Sequence, residues 1–400
     1  MRLPSIIFIL ILGLNFSSFC QEVDSVSIPD PIIEKEKEKT KFDFRGYLKF
    51  MQTLAWSGLD TNGLQVDNLI HNRLNFGIRF PKNMTLIAQA RNRIFYGASV
   101  GSIPDYGVQV NDYDGIMPLE WILVENKSVV MSVIIDRLYF DYTHKKFQFR
   151  IGRQRINWGI NTTWNPNDLF NSYNIYDFDY EERQGSDAVR IKYFPNYLSS
   201  IDVAYKFTDS FKNDVGAIMY SFNKASYDFQ FLAGKFQERL ALGFGWAGSI
   251  KLVGFKGEAT YFQGFGMNQV SNLSASFTLD YSWPSGLYIM GTYLFNSTGS
   301  GKPINPFIEV VQVPNAENLM PAKHNVMANT SYMFNPIFSG NFGVIYSFQI
   351  NSLTLFPVLT ISIKSNFDLD IVGQFFFQEI PQDKFKSLGN GVFGRIKWSF

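Results

Sequence analysis

One cysteine, Cys20, stands in the whole chain of 400 residues, with only three histidines beside it. So little thiol and imidazole leaves scant means for a disulfide framework, a zinc–thiolate centre or a thiol nucleophile. Charge is sparse too, at 18%, and balanced, with 36 Lys and Arg against 35 Asp and Glu. Nucleic acid is therefore not expected as a partner. Past the amino-terminal segment, no apolar run reaches the roughly 18 residues a spanning helix needs. No Walker or dinucleotide motif occurs. None of His71, His144 and His324 has a local nucleophile or carboxylate that would mark a hydrolase. No enzyme activity, cofactor or metal is expected. Asp112-Tyr-Asp-Gly115 has calcium-ligand character, but an ordinary acidic turn is the simpler explanation and the one expected.

Aromatic residues, by contrast, reach 17%, with 40 Phe and 20 Tyr. They favour pleated surfaces and membrane interfaces. Residues 1–20 read as a secretory signal: Arg2, an apolar stretch from Ile6 to Leu14, then Ser18 and Cys20 at the −3 and −1 positions. A lipid anchor on Cys20 is the alternative, which bulky Phe19 disfavours. Residues 21–41, with Glu34-Lys-Glu-Lys-Glu-Lys39, read as a charged flexible periplasmic tail, too short for the plug of an energised transporter.

The rest, 42–400, alternates apolar and polar residues in eighteen strand candidates. They are 42–54, 69–80, 84–96, 132–142, 147–157, 187–194, 200–208, 215–222, 226–233, 240–249, 252–263, 272–282, 286–296, 324–334, 340–350, 354–365, 367–378 and 390–400. Sixteen or twenty strands are the alternatives, because 208–240 and 350–365 are weakly punctuated. Connections after even-numbered strands are short, as in Pro81-Lys-Asn83 and Trp283-Pro-Ser-Gly286. The long ones, 97–131, 158–186 and 297–323, follow odd-numbered strands. Short turns at one rim and long loops at the other predict an all-β, antiparallel transmembrane barrel, with short periplasmic turns and long extracellular loops. The ending Gly391-Val-Phe-Gly-Arg-Ile-Lys-Trp-Ser-Phe400 alternates to an aromatic last residue. It resembles the closing strand of Gram-negative outer-membrane barrels.

If the apolar face meets outer-membrane lipid, the other face lines the lumen. There the alternation places Arg45, Lys49, Arg73, Arg91, Arg93, Arg137, Arg150, Arg190 and Lys192, with Arg395 and Lys397 joining them at closure. The far wall carries Ser274, Ser276, Thr278, Asn329 and Ser331 instead. Two readings follow. One is a charge-lined aqueous pore; the other is a lumen filled by ion pairs between these cations and acids on inward loops. A one-residue register slip would reverse every facing.

Loop 158–186 is acidic and aromatic, and is expected to fold inward and set a constriction. Asp168, Asp177, Asp179, Glu181 and Glu182 would then face the basic wall. Trp158, Trp164, Tyr173 and Tyr176 are candidates for stacking on sugar rings, or else for an interfacial girdle. The glycines of Leu242-Gly-Phe-Gly-Trp246 suit a flat barrel face packed in a homotrimer.

The segment Ile151-Gly-Arg-Gln-Arg-Ile-Asn-Trp-Gly159, followed by Asn165-Pro-Asn-Asp168, resembles a signature of porin-like and alginate-export outer-membrane barrels. The resemblance implies that Arg150 and Gln154 line a pore. Alternation would turn Arg153 and Arg155 to lipid, which predicts a bulge or an early strand end. Together these readings point to a porin in the outer membrane of a Gram-negative bacterium, passing small polar or anionic solutes. A selective oligosaccharide or polysaccharide channel or exporter, or a non-conducting scaffold, are the rivals.

Overall fold

The computed structural model describes residues 39–400, apart from 59–62, 111–114, 173, 180–183, 266–269, 300, 302–314 and 381–384. The expected leader, nearly all of the charged tail and the acidic turn at 112–114 lie outside the described residues.

The chain begins with β1 (Lys41–Trp56), β2 (Gln65–Phe80) and β3 (Met84–Gly97). Two short helices, α1 (Ala98–Ser102) and α2 (Tyr106–Val110), lead to β4 (Glu120–Glu125) and β5 (Val129–His144). Then come β6 (Phe147–Gln154), β7 (Ser186–Asn196), β8 (Ser199–Lys206), β9 (Val215–Lys224), β10 (Tyr227–Phe236), β11 (Arg239–Ile250) and β12 (Val253–Gly264). The remainder is β13 (Asn272–Ser282), β14 (Leu287–Asn296), β15 (His324–Asn335), β16 (Phe338–Ser347), β17 (Ser352–Lys364), β18 (Phe367–Glu379) and β19 (Phe385–Ser399). All lie in one sheet. Strand β19 returns to β1, from Tyr47 opposite Ser399 to Trp56 opposite Asn390, and closes it. Eighteen strands form the wall, each overlapping one of the eighteen candidates, and β4 is an addition.

Alternation is the cause. On β13, Ser274, Ser276 and Thr278 are buried inside while Leu273, Phe277 and Leu279 stand exposed outside. The outer face carries such apolar side chains on strand after strand, a surface whose chemistry suits lipid better than water. Tight turns join the strands at one rim. Ala225 and Ser226, with φ of 53° and 65°, make a two-residue turn whose twist matches the hairpin.

The fifth stave of the wall is made of two pieces. Strand β6 stops at Gln154, three residues short of its expected end, where Gly152 has a φ of 116°. Above it, β4 takes over the free edge of β5, with Glu120 opposite Ile134 and Glu125 opposite Val130. Arg153 holds the junction. It is fully buried, donating to Asp187 on β7 at 2.8 Å and Glu120 on β4 at 2.7 Å. It also donates to the Met117 carbonyl at 2.6 Å. Strand β4 therefore extends the wall beside β5, while the described residues between 155 and 185 leave it for the interior.

Candidate functional site: an inward loop against a charged wall

Cross-strand register sets Lys397, Lys49, His71 and Arg93 in one row across β19, β1, β2 and β3, with Arg73 opposite Arg91 beside it. Like charges so placed repel. Two acids relieve them, and neither arrives by simple alternation. Asp136 sits at a register break, where Gln89 opposes Arg137 but Ala90 opposes Ile135. The extra residue turns its carboxylate inward, onto Arg73 and, at 3.3 Å, Arg91. Asp179 comes from the inward loop. It takes Lys49 at 2.9 Å, His71 Nδ1 at 3.2 Å and Arg395 at 3.0 Å. Burial alone would raise its carboxyl pKa; the His71 hydrogen bond and the Lys49 charge outweigh that and hold it well below the ordinary range. Asp370 on β18 grips the other side of Arg395 at 2.8 Å.

The described part of the loop is anchored to the wall at several points. Trp158 Nε1 donates to Asp202 at 3.0 Å, and Gln230 on β10 donates to the Trp158 carbonyl at 2.9 Å. Glu258 on β12 is the main anchor. Its buried carboxylate accepts from the Ile160 and Asn161 N–H groups, from Asn165 Nδ2 at 2.9 Å and from the Asn167 N–H at 2.9 Å. Ser276 on β13 donates to the Trp164 carbonyl at 2.7 Å, and Gln374 on β18 to that of Tyr176 at 2.6 Å. Two apolar clusters fill the spaces between, one around Trp158 and Phe170, the other around Trp164, Tyr176, Leu294 and Ile345.

The expected site residues are distributed as follows. Lys49, Arg73, Arg91, Arg137 and Arg190 are buried on the inner face. Arg190 is paired with Asp202 at 2.6 Å, with Lys192 at 3.7 Å from the same carboxylate. Arg150 meets Asp141 at 2.7 Å, and Arg93 donates to the Val110 carbonyl at 2.6 Å. Lys397 lies over the Tyr47 ring at 5.1 Å. Arg45 is exposed, and Arg150, Lys192 and Lys397 are half-buried on the inner face. Gln154 is buried and donates to the Ala188 carbonyl at 3.0 Å.

Several expectations need correction. Asp168 is fully buried, not facing open water at a constriction, and accepts from the Trp158 N–H at 3.4 Å. Asp177 is half-buried near the loop tip. Trp158, Trp164 and Tyr176 are 1%, 2% and 7% exposed, so their faces are taken up by packing and offer no stacking platform. Tyr173, Glu181 and Glu182 lie outside the described residues. Gly243 and Gly245 face inward, not toward a neighbouring barrel. A Cβ on Gly243 would lie 2.7 Å from Asn167 Oδ1, and one on Gly245 would lie 3.0 Å from Asn167 Nδ2. These glycines make room for the loop.

Glu258 and Asp136 escaped the sequence-based reading of the lumen. Glu258 carried a usable signal, an acid on the polar face of β12 between Lys256 and Thr260. Asp136 carried none, because strict alternation places it in lipid.

No protein-family model and no curated protein matches the chain. Solved structures do. OccAB4 of Acinetobacter baumannii aligns with a TM-score of 0.57 at 9% identity, over 91% of this chain and 99% of that one. OccK5 (OpdH) of Pseudomonas aeruginosa gives 0.56 at 9% identity, over 90% and 98%. OccK8 (OprE) of the same organism gives 0.55 at 10% identity, over 90% and 98%. Identities this low speak for fold alone, and the finer likeness to alginate-export barrels has only its short motif behind it. These neighbours are Gram-negative outer-membrane porins, and the chain carries their fold.

Proposed function

We propose that the protein is a channel in the outer membrane of a Gram-negative bacterium, through which small hydrophilic solutes diffuse passively, and that its basic wall favours anionic and polar ones. One observation carries this reading: a loop crosses the lumen with its tip held by Lys49, His71 and Arg395, while Arg45, Arg150, Lys192 and Lys397 keep partial exposure on the inner face. Cations along a low-dielectric wall focus their field into the water between them and raise the local concentration of anions. The oligosaccharide reading needs open aromatic faces, and Trp158, Trp164 and Tyr176 give theirs to packing.

Planar-bilayer recording tests the proposal. Purified protein should give stepwise conductance, with a reversal potential favouring anions across a potassium chloride gradient. Absence of any steps from heat-modifiable, folded protein would sink the channel reading. Steps with cation preference would sink only the basic-wall part.

A further inference from the structure

At the rim that carries the long loops, β10 and β11 are joined by Gln237 and Glu238 alone. The neighbouring connection at this rim, 207–214, is longer, so the rim is notched here. In the notch lies a cleft of about 420 Å³, lined by Phe211, Lys212, Lys235, Arg239, Leu240 and Phe265, with the two turn residues. Alternation puts Lys235, Leu240 and Phe265 on the outward face, with the apolar exterior below them. Phe211 and Phe265 are 72% and 70% exposed, and cationic groups stand beside them.

The cations are positioned. Lys235 Nζ sits 4.2 Å from the Phe211 ring centre and donates to the Phe211 carbonyl and, at 3.3 Å, to that of Asp214. Arg239 donates to the Val270 carbonyl at 2.7 Å and pairs with Glu317 at 3.3 Å. Lys212 pairs with Glu238 at 3.3 Å, both well exposed. An exposed pair of that kind contributes little, so Lys212 exchanges partners readily.

We propose that this cleft binds a phosphorylated, acylated glycolipid of the outer leaflet. Its phosphate would meet Lys212 and Lys235, and an acyl chain would cover Phe211, Leu240 and Phe265. The match is amphipathic: a free phosphate has no use for the apolar floor, and a neutral lipid none for the lysines. The inference rests on the outer-membrane placement proposed above.

The test uses the full chain in detergent, titrated with bisphosphorylated lipid A, with its dephosphorylated form and with inorganic phosphate, and read by native mass spectrometry. Bound lipid A should survive gentle activation. It should fall about tenfold in Lys212→Glu with Lys235→Glu, and clearly in the milder Lys235→Gln. Heat-modifiable migration checks that each variant is folded. Equal binding by wild type and by folded double variant would overturn the site. So would equal retention of the dephosphorylated lipid, or displacement of lipid A by millimolar inorganic phosphate. Conductance in lipid A-free bilayers is read separately. Loss of conductance with lipid A bound refutes the channel and spares the cleft; conductance without lipid A binding does the reverse.

Discussion

The carboxylate of Glu258 on β12 accepts a hydrogen bond from the Asn167 N–H at 2.9 Å, tying a wall strand to a loop residue 91 positions earlier. Three further donors from the same loop converge on that carboxylate. Removing the acceptor strands them in a buried site, at about 1–3 kcal/mol for each group left unsatisfied. Glu258→Ala should therefore free the loop while leaving the barrel closed. Single-channel records should show more current noise and higher mean conductance, and the loop should become open to protease. Unchanged noise and protection would mean that the apolar clusters alone hold the loop.

Arg153 and Asp187 are both fully enclosed at the junction of β4, β6 and β7. Breaking such a pair leaves a buried charge uncompensated, which costs on the order of 3–5 kcal/mol. Arg153→Ala should lower the temperature at which folded protein converts to the unfolded gel band. Arg153→Ala with Asp187→Ala should recover part of the loss. No recovery in the double variant would show that the Glu120 and Met117 contacts dominate instead.

Asp179 makes a pH prediction. Its folded carboxyl pKa is depressed, so its contribution is fully present above the ordinary value of about 3.9 and fades as pH falls toward the lowered one. Mean conductance should stay flat from about pH 8 to pH 5 as far as this contact decides it. Asp179→Asn removes the charge at every pH. It should give elevated, fluctuating conductance already at pH 7 and a stronger anion preference, since Lys49 and Arg395 lose a shared counter-charge. A variant indistinguishable from wild type at pH 7 would rule the latch out.

Selectivity should follow the half-exposed cations more than the buried ones. Arg45→Glu with Lys397→Glu should move the reversal potential toward cations without altering thermal stability by more than about 1 kcal/mol. If the reversal potential is unmoved, the anion-attracting field originates elsewhere.

Gly243→Val tests the inward reading of β11. Its side chain would press on Asn167 and Leu232, an overpacking penalty of about 1–3 kcal/mol. Altered conductance in a protein with an unchanged oligomeric state would match a loop displaced from inside. A changed oligomeric state with normal conductance would return the glycines to the outer face.

Strand number, order and the distinction between rims were legible because a lipid-facing barrel leaves a period-two record on nearly every strand. The record failed where the period breaks. At Asp136 an inserted residue carries an acid to the inner face that counting puts outside. At Gly152 a left-handed backbone turns Arg153 into the seam. Strand β4 was missed because Glu120-Trp-Ile-Leu-Val-Glu125 is short and lies within a stretch that reads as loop. The aromatics of 158–186 were recognised as ordered, but sequence does not distinguish a ring that packs from one that waits for a ligand. Trp164 is settled only by its neighbours Leu294, Met320 and Ile345.

The two-piece stave separates the perimeter of the barrel from its contents. Because β4 finishes the edge of β5 that β6 abandons, the connection from β6 to β7 is released from any duty in the wall. Its length and composition can change without altering circumference, tilt or pairing, and the lumen can be refitted behind an unchanged exterior.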